Sequence, residues 1–135
     1  LVKGSIMIHT EHGISLFELL IVLVIIGILA NISYPIYTHA LIKTRRTEAK
    51  IALMDLANRM ENYYLENNNS YLGASLGKLH IKVITDKKFY QLSLNSTNNT
   101  YLLSATATFS DLECYCFRLN QLGEKTNTGP SKKCW

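Results

Sequence analysis

The sequence predicts an α+β fold in which a long N-terminal transmembrane α-helix packs on a C-terminal antiparallel β-meander of about three to four strands. Three observations carry this. Residues 19–30 form an unbroken apolar run, LLIVLVIIGILA; residues 49–64 repeat apolar side chains at helical spacing; and beyond residue 88 three runs of aromatic and apolar residues are separated by short polar turns. At 135 residues and 47% hydrophobic content, one compact domain is the ceiling, and disorder and collagen-like repeats are excluded.

The apolar run sits in a weakly polar stretch from Ile14 to Tyr37 whose only charge is Glu18. Twenty-four helical residues reach about 36 Å, enough to cross a hydrocarbon layer of about 30 Å. A cleaved secretory signal is the plainer alternative, but Asn31, Ser33, Tyr34 and Pro35 follow the run where a small-residue exit would stand. Upstream, LVKGSIMIHTEHG is short and polar and ends in Gly13; it leaves two starts open, Leu1 or Met7.

The helix is expected to continue to about Glu66. Ala49, Ala52, Leu53, Leu56, Ala57, Met60, Tyr63 and Tyr64 follow i, i+3, i+4, i+7 spacing, while Lys50, Asp55, Asn58, Arg59 and Asn62 take the other faces. Asp55 and Arg59 are spaced for a weak i, i+4 ion pair. A helix of this length exceeds what so small a domain needs, so its first half must serve something outside the domain. Gly27 and Pro35 mark a segment expected to bend or melt locally as subunits pack. Asn67-Asn68-Asn69-Ser70 ends the helix, and the stretch to Lys88 reads as a connecting loop. Strands are expected at 89–94, 101–109 and 113–120, their apolar face covering the helical stripe. The tail from Gln121 to Trp135 reads as a loop pinned by cysteine.

All three cysteines fall at 114, 116 and 134. Clustering and an odd count suit one local disulfide plus a spare thiol in an oxidising compartment. Cys114 and Cys116 are too close for an easy ring, so Cys134 pairs with one of them. The Cys-x-Cys has no second pair at metal-ligand spacing, so neither a metal nor a cofactor is expected. His9 and His12 precede Gly13, His39 borders the apolar helix, and His80 has no acid or nucleophile beside it. No enzyme constellation emerges, and no phosphate-binding glycine loop is present.

Gly13-Ile14-Ser15-Leu16-Phe17-Glu18, followed by LLIVLVIIGILANISYPIY, resembles the class III signal of type IV prepilins. Glycine precedes the cut, glutamate stands five residues beyond it, and Pro35 follows a run of the right length. Ile14 stands where the family usually has Phe, Ser15 for Thr, and His12 for Lys or Arg. RRTEAKIALMDLANRMENYYLENNNSY and CYCFRLNQLGEKTNTGPSKKCW are similar to minor pilins of the PilE type, so the resemblance covers most of the chain.

The resemblance implies a leader at 1–13, cleavage between Gly13 and Ile14 with N-methylation of Ile14, a transmembrane and assembly helix at 14–37 acting through Glu18 and Pro35, and a periplasmic or extracellular head at 38–135. Within the head it places the helix at 38–66, the connection at 67–88, the sheet at 89–120 and a disulfide-pinned tail at 121–135. It implies that Cys114, at the family's spacing from Leu119 and Gly123, bridges to Cys134, with Cys116 the alternative. Implied partners are other pilin subunits, a prepilin peptidase, an assembly platform and the inner membrane, which holds the single-pass precursor before export into a pilus.

Physical chemistry supports a role for Glu18 beyond the motif. A carboxylate in hydrocarbon costs about 2.5–3.5 kcal/mol on insertion scales, and a freed Ile14 amine, with a pKa near 8, is a cationic partner on a neighbouring subunit. A glutamate merely favouring a helix N-terminus gains at most about 1 kcal/mol.

The chain carries a formal charge of +4, and beyond residue 38 thirteen basic residues face eight acidic ones. Lys78, Lys82, Lys87 and Lys88 cluster in the connection, and Lys125, Lys132 and Lys133 in the tail. A solvated surface is the plain reading. The sharper one is DNA capture by those lysines, with Tyr71, Tyr115 or Trp135 as stacking groups. Two rivals to a pilus subunit used for motility, adhesion or uptake are a type II secretion pseudopilin and a DNA-binding minor pilin acting as an uptake receptor. Pseudopilins often fix the head with calcium, which the terminal Cys-Trp argues against.

Overall fold

A computed structural model describes residue 4 and residues 13–135; Met7, His9 and His12 lie outside the described residues. The chain forms two compact units, Leu1–Thr38 and His39–Trp135. One helix, α1 (Leu16–Glu66), contributes to both.

In the first unit, Ser15 starts the helix: its hydroxyl accepts the Glu18 amide at 3.1 Å and its carbonyl accepts the Leu19 amide. Serine here with glutamate three residues on is the N-terminal half of a capping box. The helix is unbroken across Gly27 and Pro35, where bending was expected on subunit packing. The Asn31 amide donates to the Gly27 carbonyl at 3.0 Å and Thr38 Oγ1 to the Pro35 carbonyl at 2.9 Å, local bonds around the site where proline supplies no N–H.

In the second unit, α1 ends where the asparagines begin. Asn68 and Asn69 adopt left-handed φ of 52° and 58°, and the Asn69 amide bonds back to the Tyr64 carbonyl, closing the last turn as asparagine can. The sheet follows as β1 (Tyr90–Ser96), β2 (Tyr101–Ala107), β3 (Cys116–Asn120) and β4 (Lys125–Thr128), antiparallel throughout in the order β1-β2-β3-β4. Leu92 opposes Ala105, which opposes Phe117, so these side chains share one face. That face meets the helical stripe: Ala49, Leu53, Leu56 and Met60 pack with Tyr90, Leu103, Phe117 and Leu119 in one core. Arg45 lies over the paired rings of Phe89 and Phe109, 4.5 and 4.9 Å from their centroids.

Two expectations are corrected. The tail is not only loop, because Lys125–Thr128 forms the outer strand β4; its sequence KTNT holds no apolar residue, so an edge strand there leaves no alternation to read. β3 begins at Cys116 rather than 113, since Asp111 accepts the Cys114 amide and bends the chain before the ladder starts. The connection also carries more order than a plain loop. Ile84 bridges to Gln91 and Val83 accepts the Leu92 amide, so residues 83–85 cover the β1 edge.

Candidate functional site

Three places in the chain carry chemistry. The first is the beginning of α1. Gly13 and Ile14 are exposed ahead of the helix, and Glu18 lies in its first turn with no ion pair among the described residues. An 18-residue window of this helix has mean hydropathy 2.6 and none of it is buried inside the chain. Among the described residues nothing covers this surface, so lipid or neighbouring subunits must.

The second place is the anchoring of the tail. Cys114 and Cys134 form a disulfide with Cα atoms 5.6 Å apart, while Cys116 is a buried free thiol. Cys114 and Cys134 belong to the core facing α1. Cys116 pairs in register with Thr106 on the opposite face, where Thr106 Oγ1 approaches its sulfur at 3.5 Å. Trp135 packs edge-on against Phe117, its indole N–H donating to the Thr126 carbonyl at 2.7 Å. Gly129 has φ 136°, and a Cβ there would overlap the Glu113 carbonyl, so only glycine lets the tail pass so close to the Glu113 backbone.

Asp111 ties this region to the helix. Arg46 donates to both of its carboxylate oxygens at 2.8 Å, and the Cys114 amide donates to one of them at 3.2 Å. Burial pushes the Asp111 carboxyl up, but the bonds from Arg46 and from the Cys114 and Glu113 amides outweigh it and hold the group below the usual carboxylate range. The same hydrogen bond to Asp111 raises Arg46.

The third place is the basic surface, which the sheet divides in two. Lys82, Lys87 and Lys88 lie beside the β1 edge; Lys125, Lys132 and Lys133 belong to the opposite, β4 side. Two of the four lysines in the connection are engaged. Lys78 donates to the Gly73 carbonyl and Lys82 pairs with Asp86 at 3.2 Å. Lys82 and Lys87 also line a groove of about 940 Å³ shared with Glu48, Asp55 and Asp86. No acidic partner holds Lys125, Lys132 or Lys133 among the described residues. Lys125 stands 5.5 Å from the Trp135 ring centroid.

Lys50 joins the β4 group, unflagged by the sequence because it sits in the polar positions of a helix. Burial lowers its pKa first, and the nearby charges of Arg46 and Lys125 lower it further. Of the aromatic residues considered for base stacking, Tyr115 is exposed and Trp135 half-exposed, but Tyr71 is withdrawn. It is buried between Tyr64 and Tyr101, ring centroids 4.6 and 4.9 Å away, and its hydroxyl donates to Glu61, so burial pushes it up to about 12.

Comparison with known proteins matches this architecture. The family model described as type IV minor pilin ComP, DNA uptake sequence receptor, matches residues 35–120, more than half of the chain, and a prokaryotic N-terminal methylation motif matches residues 8–30. No curated protein matches. Among solved structures, the chain is similar to the Neisseria meningitidis non-core minor pilin PilV, with TM-score 0.52 and 22% identity over 67% of this chain and 93% of that one. At that identity the likeness speaks for the fold, a long N-terminal helix packed on an antiparallel sheet. Together with the exposed apolar helix behind a methylation motif, these matches show that the chain belongs to the type IV minor pilin ComP family and is a subunit of a type IV pilus.

Proposed function

We propose that this subunit captures DNA for uptake through the β4 side of its head, with Lys50, Lys125, Lys132 and Lys133 neutralising backbone phosphates and Trp135 or Tyr115 offering an aromatic face. The observation that carries this reading is the separation of the lysines by the sheet: on the β1 side Lys82 pairs with Asp86 and Lys87 shares a groove with Glu48, Asp55 and Asp86, whereas among the described residues no acidic partner holds Lys125, Lys132 or Lys133. The family description, a DNA uptake sequence receptor, supports it.

Delivery to the pilus follows the processing motif. A prepilin peptidase cuts after Gly13 and methylates Ile14 at the inner membrane, Glu18 of one subunit pairs with the new N-terminus of its neighbour, and an assembly platform lifts the subunit into the fibre.

Binding of duplex DNA to the full chain in detergent micelles, followed across a salt series, tests the surface. Each neutralised phosphate contributes about −0.9 to the slope of log affinity against log salt. Changing Lys125, Lys132 and Lys133 together to Gln should weaken binding and flatten the slope by about two to three. The same change at Lys82, Lys87 and Lys88 should do little. No binding at low salt, or equal losses from both triples, would overturn the assignment.

A further inference from the structure

Two thiols compete for Cys134, and their positions in the chain do not choose between them. Closing on Cys116 instead of Cys114 makes a loop only two residues shorter than the observed separation of 20, a difference of about 1.2-fold in closure probability. The structure nevertheless joins Cys134 to Cys114 and leaves Cys116 reduced on the other face of the sheet. Selection therefore requires structure formed before oxidation.

We propose that the Arg46–Asp111 fork is that structure: a positioning pair that turns Cys114 toward α1 and so directs oxidation to it rather than to Cys116. Asp111 sits three residues before Cys114, with its side chain only 3% exposed. One carboxylate oxygen is shared between Arg46 Nη2 and the Cys114 amide, so the charge on the helix fixes the backbone from which the Cys114 side chain departs. The tail beyond β4 completes the frame: the Ser131 amide, three residues before Cys134, donates to the Glu113 carbonyl at 3.4 Å. Cys116 takes the first position of β3, paired with Thr128, and strand geometry turns its sulfur away from the core. Closing either bond removes two protons and two electrons from the thiol pair and passes them to a disulfide oxidant such as oxidised glutathione, which leaves as two thiols.

The test is re-oxidation of the reduced full chain in detergent micelles with oxidised and reduced glutathione, followed by alkylation and tandem mass spectrometry to locate the alkylated cysteine. The native sequence should give the Cys114–Cys134 isomer at least tenfold over Cys116–Cys134, and in 8 M urea the two should form near parity. Asp111→Asn and Arg46→Met should each raise the Cys116–Cys134 share at least fivefold. Leu56→Ala, which damages the same core without touching the fork, should lower the yield of folded protein while keeping the isomer ratio of the native sequence. An unchanged ratio in both fork variants, or a tenfold preference that persists in urea, would overturn the proposal, and the urea arm decides even if a variant fails to fold.

Discussion

The two stretches of α1 present apolar side chains in opposite ways. Before Thr38, leucines, isoleucines and valines surround the helix and stand 43–85% exposed; beyond His39, Ala49, Leu53, Leu56 and Met60 form one stripe that is fully buried. Secondary structure is shared, so the difference lies in who supplies the partner surface. A stripe with polar neighbours is answered by this chain's own sheet, whereas an all-round apolar helix has to be answered by lipid or by other subunits. The first region is therefore read by what it assembles with, and the second by how it holds itself together.

The sharpest way to break this comparison is Glu18→Leu. Membrane insertion and leader cleavage should persist, because an apolar residue is better tolerated in lipid, while recovery of the subunit in sheared pili falls more than tenfold. Quantitative blotting of the sheared fibres against the membrane fraction measures it, and the head, whose core contains no residue before Ala49, should keep its thermal stability.

The head's largest single loss should come from Cys134→Ser. Opening a loop of this length costs about 3 kcal/mol, on the order of 15 °C in Tm for a domain of this size, and the residues beyond Leu119 should become protease-sensitive first. Cys116→Ser should stay within about 1 kcal/mol, since that thiol forms no disulfide and a serine hydroxyl could keep its hydrogen-bond contacts with Thr106 and the Phe117 carbonyl. Limited proteolysis and thermal melting of the two variants compare them directly.

Acid should act next. The Asp111 carboxyl is held below its unfolded value, so its stabilisation is fully present above pH 4 and is lost as pH falls through the lowered folded value. Asp111→Asn should lower stability at pH 7 by about 2 kcal/mol and flatten the decline below pH 4 in a denaturant titration. The smallest effect is expected at Asp55–Arg59, an exposed i, i+4 pair at 3.2 Å. Asp55→Ala should cost about 0.5 kcal/mol or less, and Arg59 keeps its bond to the Leu79 carbonyl.

The comparison also explains what the sequence reveals. Long periodic signals are readable: a run of LLIVLVIIGILA or a stripe from Ala49 to Tyr64 repeats one message many times, as do the aromatic strands. β4 is silent because an outer strand of Lys, Thr and Asn buries little, and its position follows from pairing with β3 rather than from its own composition. Asp111 and Arg46, 65 residues apart, carry no mutual signal in the chain. The competition between Cys114 and Cys116 is decided by which face of a sheet each occupies, a property a spacing cannot state. The lysines fall into two clusters in chain order, in the connection and in the tail, but only the folded chain shows Lys82 paired with Asp86 and, among the described residues, no acidic partner on Lys125, Lys132 or Lys133. Tyr71 reads as a surface aromatic after a polar turn until the connection folds back and encloses it.

Trp135 is the sole tryptophan of the chain, and it sits where the tail meets the sheet, its ring against Phe117 and its N–H on Thr126. Its emission is therefore a private signal from the last strand and the disulfide-held end, with no contribution from the apolar helix or the rest of the core. Release of the tail exposes the indole to water and moves that emission to longer wavelength, while far-ultraviolet dichroism, dominated by the long helix, barely changes. The molecule thus carries its own optical probe for the segment that holds Lys125, Lys132 and Lys133, with nothing to attach or substitute.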